Sequence, residues 1–235
     1  MTRWYRAYEG TVTDPKLAEA AAVAGCSRSV SVAAWHLTLE NAAAVNDGGR
    51  IDIPSPGGRD GAVKYTDYSI GHFLDKAKAK PWFADTLFVI VADHCASAAG
   101  KTKLPVPGYH IPMIMYAPSL LKPGKYTELV SQIDIAPTLI DVLGVQGDDH
   151  FYGRSVFEQG KDFQRRAFIS NYQELGYLSQ NQLTVLGPKQ KVETFDIAKD
   201  GSATPTEVNP KLRDEAIAYY QSAFQAFKTG ALKFK

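Results

Sequence analysis

The segment Thr86-Leu87-Phe88-Val89-Ile90-Val91-Ala92-Asp93-His94 constrains this chain more than any other. Its apolar, β-branched run reads as a buried strand, and it stops abruptly on a carboxylate and an imidazole. Asp and His are hard and borderline ligands that together suit a divalent ion such as Zn²⁺ or Mn²⁺. In open α/β sheets, ligands sit just outside the carboxyl ends of the strands, where this pair falls. The competing assignment has Asp93 capping the next turn and His94 simply exposed, since a two-residue motif has little specificity alone.

The pattern around this strand is regular. Ala62, Val63, Tyr65, Ile70, Phe73, Leu74 and Ala77 recur at near-helical spacing and predict an amphipathic helix from Asp60 to the Lys-rich segment 76–80. Pro81-Trp82 breaks it before the strand begins. A Gly- and Pro-punctuated loop over 95–108 leads to a second apolar strand, His110 to Pro118, with a histidine at its entrance. If the two strands are neighbours, His110 stands over the same crevice as Asp93 and His94. Asp134 then precedes a short helix, Ile135 to Leu143, closed by Gly144, with Pro137 in its first turn. Segments 167–170, 183–187 and 191–197 predict an antiparallel sheet, and Pro210 to about Phe227 a terminal helix. Upstream, Asp14-Pro15 opens a candidate helix running to Gly25, residues 29–35 alternate as a weak strand, and 48–60 is a loop by its Gly, Pro and Ser content.

Composition narrows the function classes. Lys and Arg number 26 against 25 Asp and Glu, so no bulk field favours nucleic acid. Cys26 and Cys95 are too few for a disulfide framework; Cys95, beside His94, is either a small buried residue or a softer ligand. No apolar run reaches the roughly 18 residues of a membrane span, and the start at Met1 to Arg6 lacks the apolar core of a secretory signal. A soluble chain is expected, and at 235 residues it suffices for one substantial α/β domain, or for a domain plus a small appendage.

Four motifs then occur in order: Val91-Ala92-Asp93-His94, Tyr109-His110-Ile111-Pro112, Ser131-Gln132-Ile133-Asp134-Ile135-Ala136-Pro137-Thr138-Leu139, and Phe151-Tyr152-Gly153-Arg154-Ser155. In this order they resemble the sulfatase family of the alkaline phosphatase superfamily, most closely the branch of lipoteichoic acid synthases and phosphoethanolamine transferases. Arg50 to Pro54, Tyr65 to Tyr68 and Asn171 to Tyr177 are similar to bacterial members as well. The resemblance runs from about residue 48 to the carboxyl terminus.

The resemblance implies an alkaline-phosphatase-like α/β sheet flanked by helices, incomplete at its amino terminus, with a small carboxyl-terminal antiparallel sheet and a terminal helix. It divides the chain into an unmatched segment 1–47, a metal-site core 48–160 and a sheet-plus-helix subdomain 161–235. It implies a divalent metal (Mn, Zn, Mg or Ca) with Asp93 and His94 as two of its ligands, and His110 on the transferred group of a phosphate- or sulfate-ester substrate, which for this branch includes lipid head groups. By the same resemblance Asp134 orders the start of its helix and Arg154 braces a loop. Family members act outside the cytoplasmic membrane and attack with a Thr, a Ser or a modified Cys presented at a helix start. No segment before Asp93 matches that element: Cys26-Ser27-Arg28 departs from the sulfatase signature, and His36 is out of register with the branch's substrate-binding histidine. The expectation is therefore a truncated form lacking the nucleophile, its first forty-odd residues a replaced or frame-shifted start. The alternative is a catalytically inactive remnant or anion-binding module.

Overall fold

The computed structural model describes residues 59–94, 104–145, 150–158 and 164–232. The candidate helix at 14–25, the strand at 29–35, Cys26, His36, Cys95 and most of the loops at 48–60 and 95–108 lie outside them. The chain divides into two compact units, residues 1–87 with 117–121, and residues 88–116 with 122–235.

In the first unit, helix α1 (Arg59–Lys78) occupies the predicted segment, with Lys76 and Lys78 in its last turn where they oppose the helix dipole. Among its described side chains, the spacing holds except at Val63. Ala77 is buried and Ile70, Phe73 and Leu74 are half-buried, whereas Val63 is exposed. Beyond Pro81 a 3-10 turn at Phe83–Asp85 follows, and the Thr86 hydroxyl donates to the carbonyl of Trp82 at 2.7 Å. The Ser119 hydroxyl donates to the carbonyl of Ala84.

The second unit opens with strand β1 (Phe88–Val91), which pairs antiparallel with β2 (Met113–Tyr116), Phe88 opposite Tyr116 and Val91 opposite Met113. The apolar run predicts a buried strand. Here β1 is half-buried, and Val91 exposed, because among the described residues it has a partner on one edge only. Helix α2 (Ile135–Leu143) keeps its predicted bounds, with Gly144 in the left-handed conformation (φ 63°) ending it.

The predicted carboxyl-terminal sheet is present and larger. It is a five-stranded antiparallel meander of β3 (Arg166–Ser170), β4 (Leu175–Ser179), β5 (Gln182–Leu186), β6 (Val192–Ile197) and β7 (Ala203–Thr206), in that spatial order. Its β4–β5 hairpin turns on Gln180-Asn181, both at positive φ, the geometry of a two-residue type I′ connection. Period-two alternation then sorts the side chains. Ala167, Leu178, Leu183 and Val185 bury one face with Leu104, and Tyr177 buries the other with Leu212 and Ala216 of helix α3 (Pro210–Thr229). The start of α3 is fixed by Pro210 and by the Asn209 side chain, which accepts from the backbone N–H groups of Lys211 and Leu212. None of the helices among the described residues is long and apolar enough to cross a membrane.

Two tyrosines at the α3 contact make the fold alkali-sensitive. Burial pushes the Tyr220 hydroxyl, which donates to the Gly176 carbonyl at 3.1 Å, up to about 12. Burial first, then the hydrogen bond donated to Glu215, raises Tyr177 as well. An unfolded tyrosine ionises near 10, so the Tyr220 contribution is complete below about pH 10 and lost as pH rises through about 12. Tyr220→Phe should flatten the fall of unfolding free energy across that window, measured by urea unfolding at successive pH values.

Candidate functional site

The β1–β2 ladder sets the geometry at the mouth of the pair. One bond beyond the last paired residues, the backbone N–H of Ala92 donates to the carbonyl of Pro112 at 3.4 Å. Past it the pairing stops: Asp93 and His94 lie in a bend beyond Val91, and His110 precedes Met113 outside the strand. The segments that carry Asp93-His94 and His110 thus adjoin the same end of an antiparallel pair, rather than the carboxyl edge of a parallel sheet.

Asp93 and His94 are accessible to a ligand, their side chains 42% and 67% exposed. His94 Nε2 lies 3.6 Å from Asp93 Oδ2, so imidazole and carboxylate lean to the same side. The His94 N–H donates to Asp93 Oδ1 at 2.9 Å, which orients that carboxylate. His110 is exposed, and its N–H donates to the Pro107 carbonyl in the 3-10 turn Val106–Tyr109. An oxygen and a nitrogen donor side by side fit a divalent ion in kind. Among the described residues, no group of three or more His, Cys, Asp and Glu side chains is gathered to hold one.

Beneath this edge lies a turn that the sequence singled out for a different reason. Residues Gln132–Asp134 form a 3-10 turn entered at Ser131, leading directly into α2. Asp134 was expected to order the start of the helix, and it does so, though its carboxylate does not cap α2. It accepts from the Ser131 N–H at 2.9 Å and the Arg154 N–H at 3.0 Å, and pairs with Arg166 Nη1 at 3.1 Å. These donors take up the lone pairs that a helix cap would use. Arg166 also donates through Nη2 to the Tyr152 carbonyl at 3.1 Å, and its guanidinium lies over the rings of Phe168 and Tyr219. Thr138 completes the joint, donating to the Asp134 carbonyl at 2.5 Å and accepting from the Val156 N–H at 3.0 Å.

Gly153 is where this joint is tightest. A β-carbon there would lie 1.9 Å from the Ile133 carbonyl oxygen and 2.9 Å from the Asp134 nitrogen, both backbone atoms that cannot swing away. Gly153→Ala should destabilise the protein by about 2 kcal/mol or more in urea unfolding, as overpacking against fixed atoms does.

Gln132 is the residue that motif reading passed over. Its Nε2 donates to the Asp93 carbonyl at 2.9 Å and reaches the Ala92 carbonyl at 3.4 Å. Arg166 was missed too, because an arginine at the start of a strand carries no local signal of a partner 32 residues earlier.

A family model for sulfatases matches residues 12–145. The chain belongs to the sulfatase family. That match begins upstream of residue 48, where the motif resemblance starts, and it includes Asp93, His94, His110 and Asp134. A protein of the alkaline phosphatase superfamily from Vibrio parahaemolyticus has a similar structure, with a TM-score of 0.73 and 32% identity over 80% of this chain and 46% of that one. Ps i-CgsB, at 19% identity and a TM-score of 0.50 over 79% of this chain and 46% of that one, shares the fold. The sulfatase-family chain therefore spans about half the length of the solved proteins it matches. Its α/β fold, with antiparallel sheets and helices, is that of the superfamily.

Proposed function

We propose that this chain carries part of a sulfatase-type centre for metal-dependent transfer or hydrolysis of phosphate or sulfate esters, of the phosphoglycerol- or phosphoethanolamine-transferase kind. Asp93 and His94 are assigned as metal ligands and His110 as the group on the transferred anion. The observation that supports this reading is the antiparallel β1–β2 pairing, whose one end adjoins both the segment with Asp93-His94 and the segment with His110. Superfamily members generally use divalent metals. A bound cation would neutralise charge building on the transferred group and lower the pKa of an attacking hydroxyl.

The chain's own residues do the rest. Asp93 and His94 present an oxygen and a nitrogen on one side. A ring N–H of His110 would donate to a non-bridging oxygen of the ester and orient it. None of the three is a nucleophile for this reaction, which takes its nucleophile and remaining ligands from residues outside these motifs. A lipid head group as substrate, and a site in the cell envelope or periplasm, follow from the transferase kind. The reading keeps a core at 48–160 and a sheet-plus-helix subdomain at 161–235, with the sulfatase match reaching upstream of that core to residue 12.

The test is a paired assay of the full chain with Mn²⁺, using p-nitrophenyl phosphate and p-nitrophenyl sulfate. Turnover of either that disappears in Asp93→Ala and His94→Ala supports the site, and the preferred ester names the group transferred. Turnover that survives both substitutions removes these residues from the chemistry. Phosphate binding without turnover favours a non-catalytic anion-binding module.

A further inference from the structure

We infer that Gln132 is a positioning residue for the Asp93-His94 pair, holding the peptide that joins the two side chains from a turn that is itself anchored in the core. The inference rests on the assignment of Asp93 and His94 as ligands and adds to it the element that sets their geometry. The paired strand ends at Val91, and one further backbone bond follows it, from the Ala92 N–H to the Pro112 carbonyl. The Gln132 amide donates to the Asp93 carbonyl at 2.9 Å and lies 3.4 Å from the Ala92 carbonyl. Two carbonyl oxygens facing one amide group require its nitrogen to point at them, since an oxygen there would be repelled.

A surface glutamine fixes nothing unless its own backbone is fixed. Gln132 is the first residue of the 3-10 turn whose third residue, Asp134, is buried and held by Ser131, Arg154 and Arg166. A continuous path therefore runs from Arg166 in β3, through Asp134 and one turn of backbone, to the Gln132 amide and the Asp93 peptide. With the peptide held, the Asp93 and His94 side chains lean to one side from a fixed root, and less of their freedom is left to lose when a ligand arrives. Groups that orient metal ligands in this way typically change metal affinity 10- to 100-fold when removed.

The experiment titrates the full chain with Mn²⁺ alone, following free Mn²⁺ by its electron paramagnetic resonance signal, and compares wild type, Asp93→Ala and Gln132→Met. Methionine keeps the length of glutamine and removes the donor, and the side chain is exposed, so the melting temperature should not move. The expected result is Mn²⁺ binding by wild type, its loss in Asp93→Ala, and binding weaker by about tenfold or more in Gln132→Met at unchanged melting temperature. Gln132→Met binding Mn²⁺ as tightly as wild type, with Asp93→Ala inactive in binding, would overturn the role of Gln132 and leave the ligand assignment standing. Wild type binding no better than Asp93→Ala would overturn the ligand assignment, and the role of Gln132 with it.

Discussion

Arg166→Met is expected to lower the unfolding free energy by about 3–5 kcal/mol, because it strands the Asp134 carboxylate in the core. The two side chains are only 4% and 6% exposed, so water cannot replace the guanidinium. In a chain of this size that loss lowers the melting temperature by roughly 10 °C. The double variant Asp134→Leu/Arg166→Met decides which effect dominates. Replacing a buried ion pair by apolar groups is often neutral, which by itself predicts full recovery. Here Asp134 also accepts from the backbone N–H groups of Ser131 and Arg154. Each loses its acceptor in the double variant, at about 1–3 kcal/mol per buried group. Recovery should therefore be partial, with the double variant about 2 kcal/mol or more below wild type in urea unfolding. Full recovery would mean that the two N–H groups find water, and that the joint matters for charge alone.

The Asp134–Arg166 pair also shows what was legible in the sequence. The helix Ile135–Leu143 was readable to the residue, because Pro137 and Gly144 punctuate it locally and its apolar residues recur at helical spacing. The terminal helix was equally clear from its apolar spacing, while its Asn209 cap came only with the structure. Strand β4 was not foreseen: Gly176 interrupts Leu175–Ser179, and four of the five residues are buried, which erases the alternation that marks a half-exposed strand. Strand β7, Ala203–Thr206, contains Pro205 and lies at the sheet edge, where proline is tolerated but local pattern argues against a strand. At the candidate site, Asp93, His94 and His110 drew notice in the sequence because metal and anion chemistry uses those residue types. Gln132 did not, since a backbone-directed amide leaves no periodicity and acts across 39 residues of chain.

Asp93→Ala is the substitution with the largest expected effect on binding. Removing one ligand from a site deletes both a donor and its charge, so it should weaken Mn²⁺ binding by more than the roughly 100-fold upper range seen when only an orienting partner is lost. The folded state should be little affected. The Asp93 side chain is 42% exposed, and its bond to the adjacent N–H of His94 is local. A melting temperature within about 2 °C of wild type would be consistent with a surface change worth roughly 0.5 kcal/mol. A large fall in stability would instead assign Asp93 to the architecture of the strand end.

Nuclear magnetic resonance of the histidine side chains, with Mn²⁺ added in sub-stoichiometric steps, tests the convergence of strand end and strand entrance most directly. A paramagnetic ion held by Asp93 and His94 should broaden the imidazole resonances of His94 and His110 over the same additions, and neither resonance should broaden at those concentrations in Asp93→Ala. Broadening of His94 while His110 stays sharp, or equal broadening of both in Asp93→Ala, would contradict a shared site at the mouth of the β1–β2 pair.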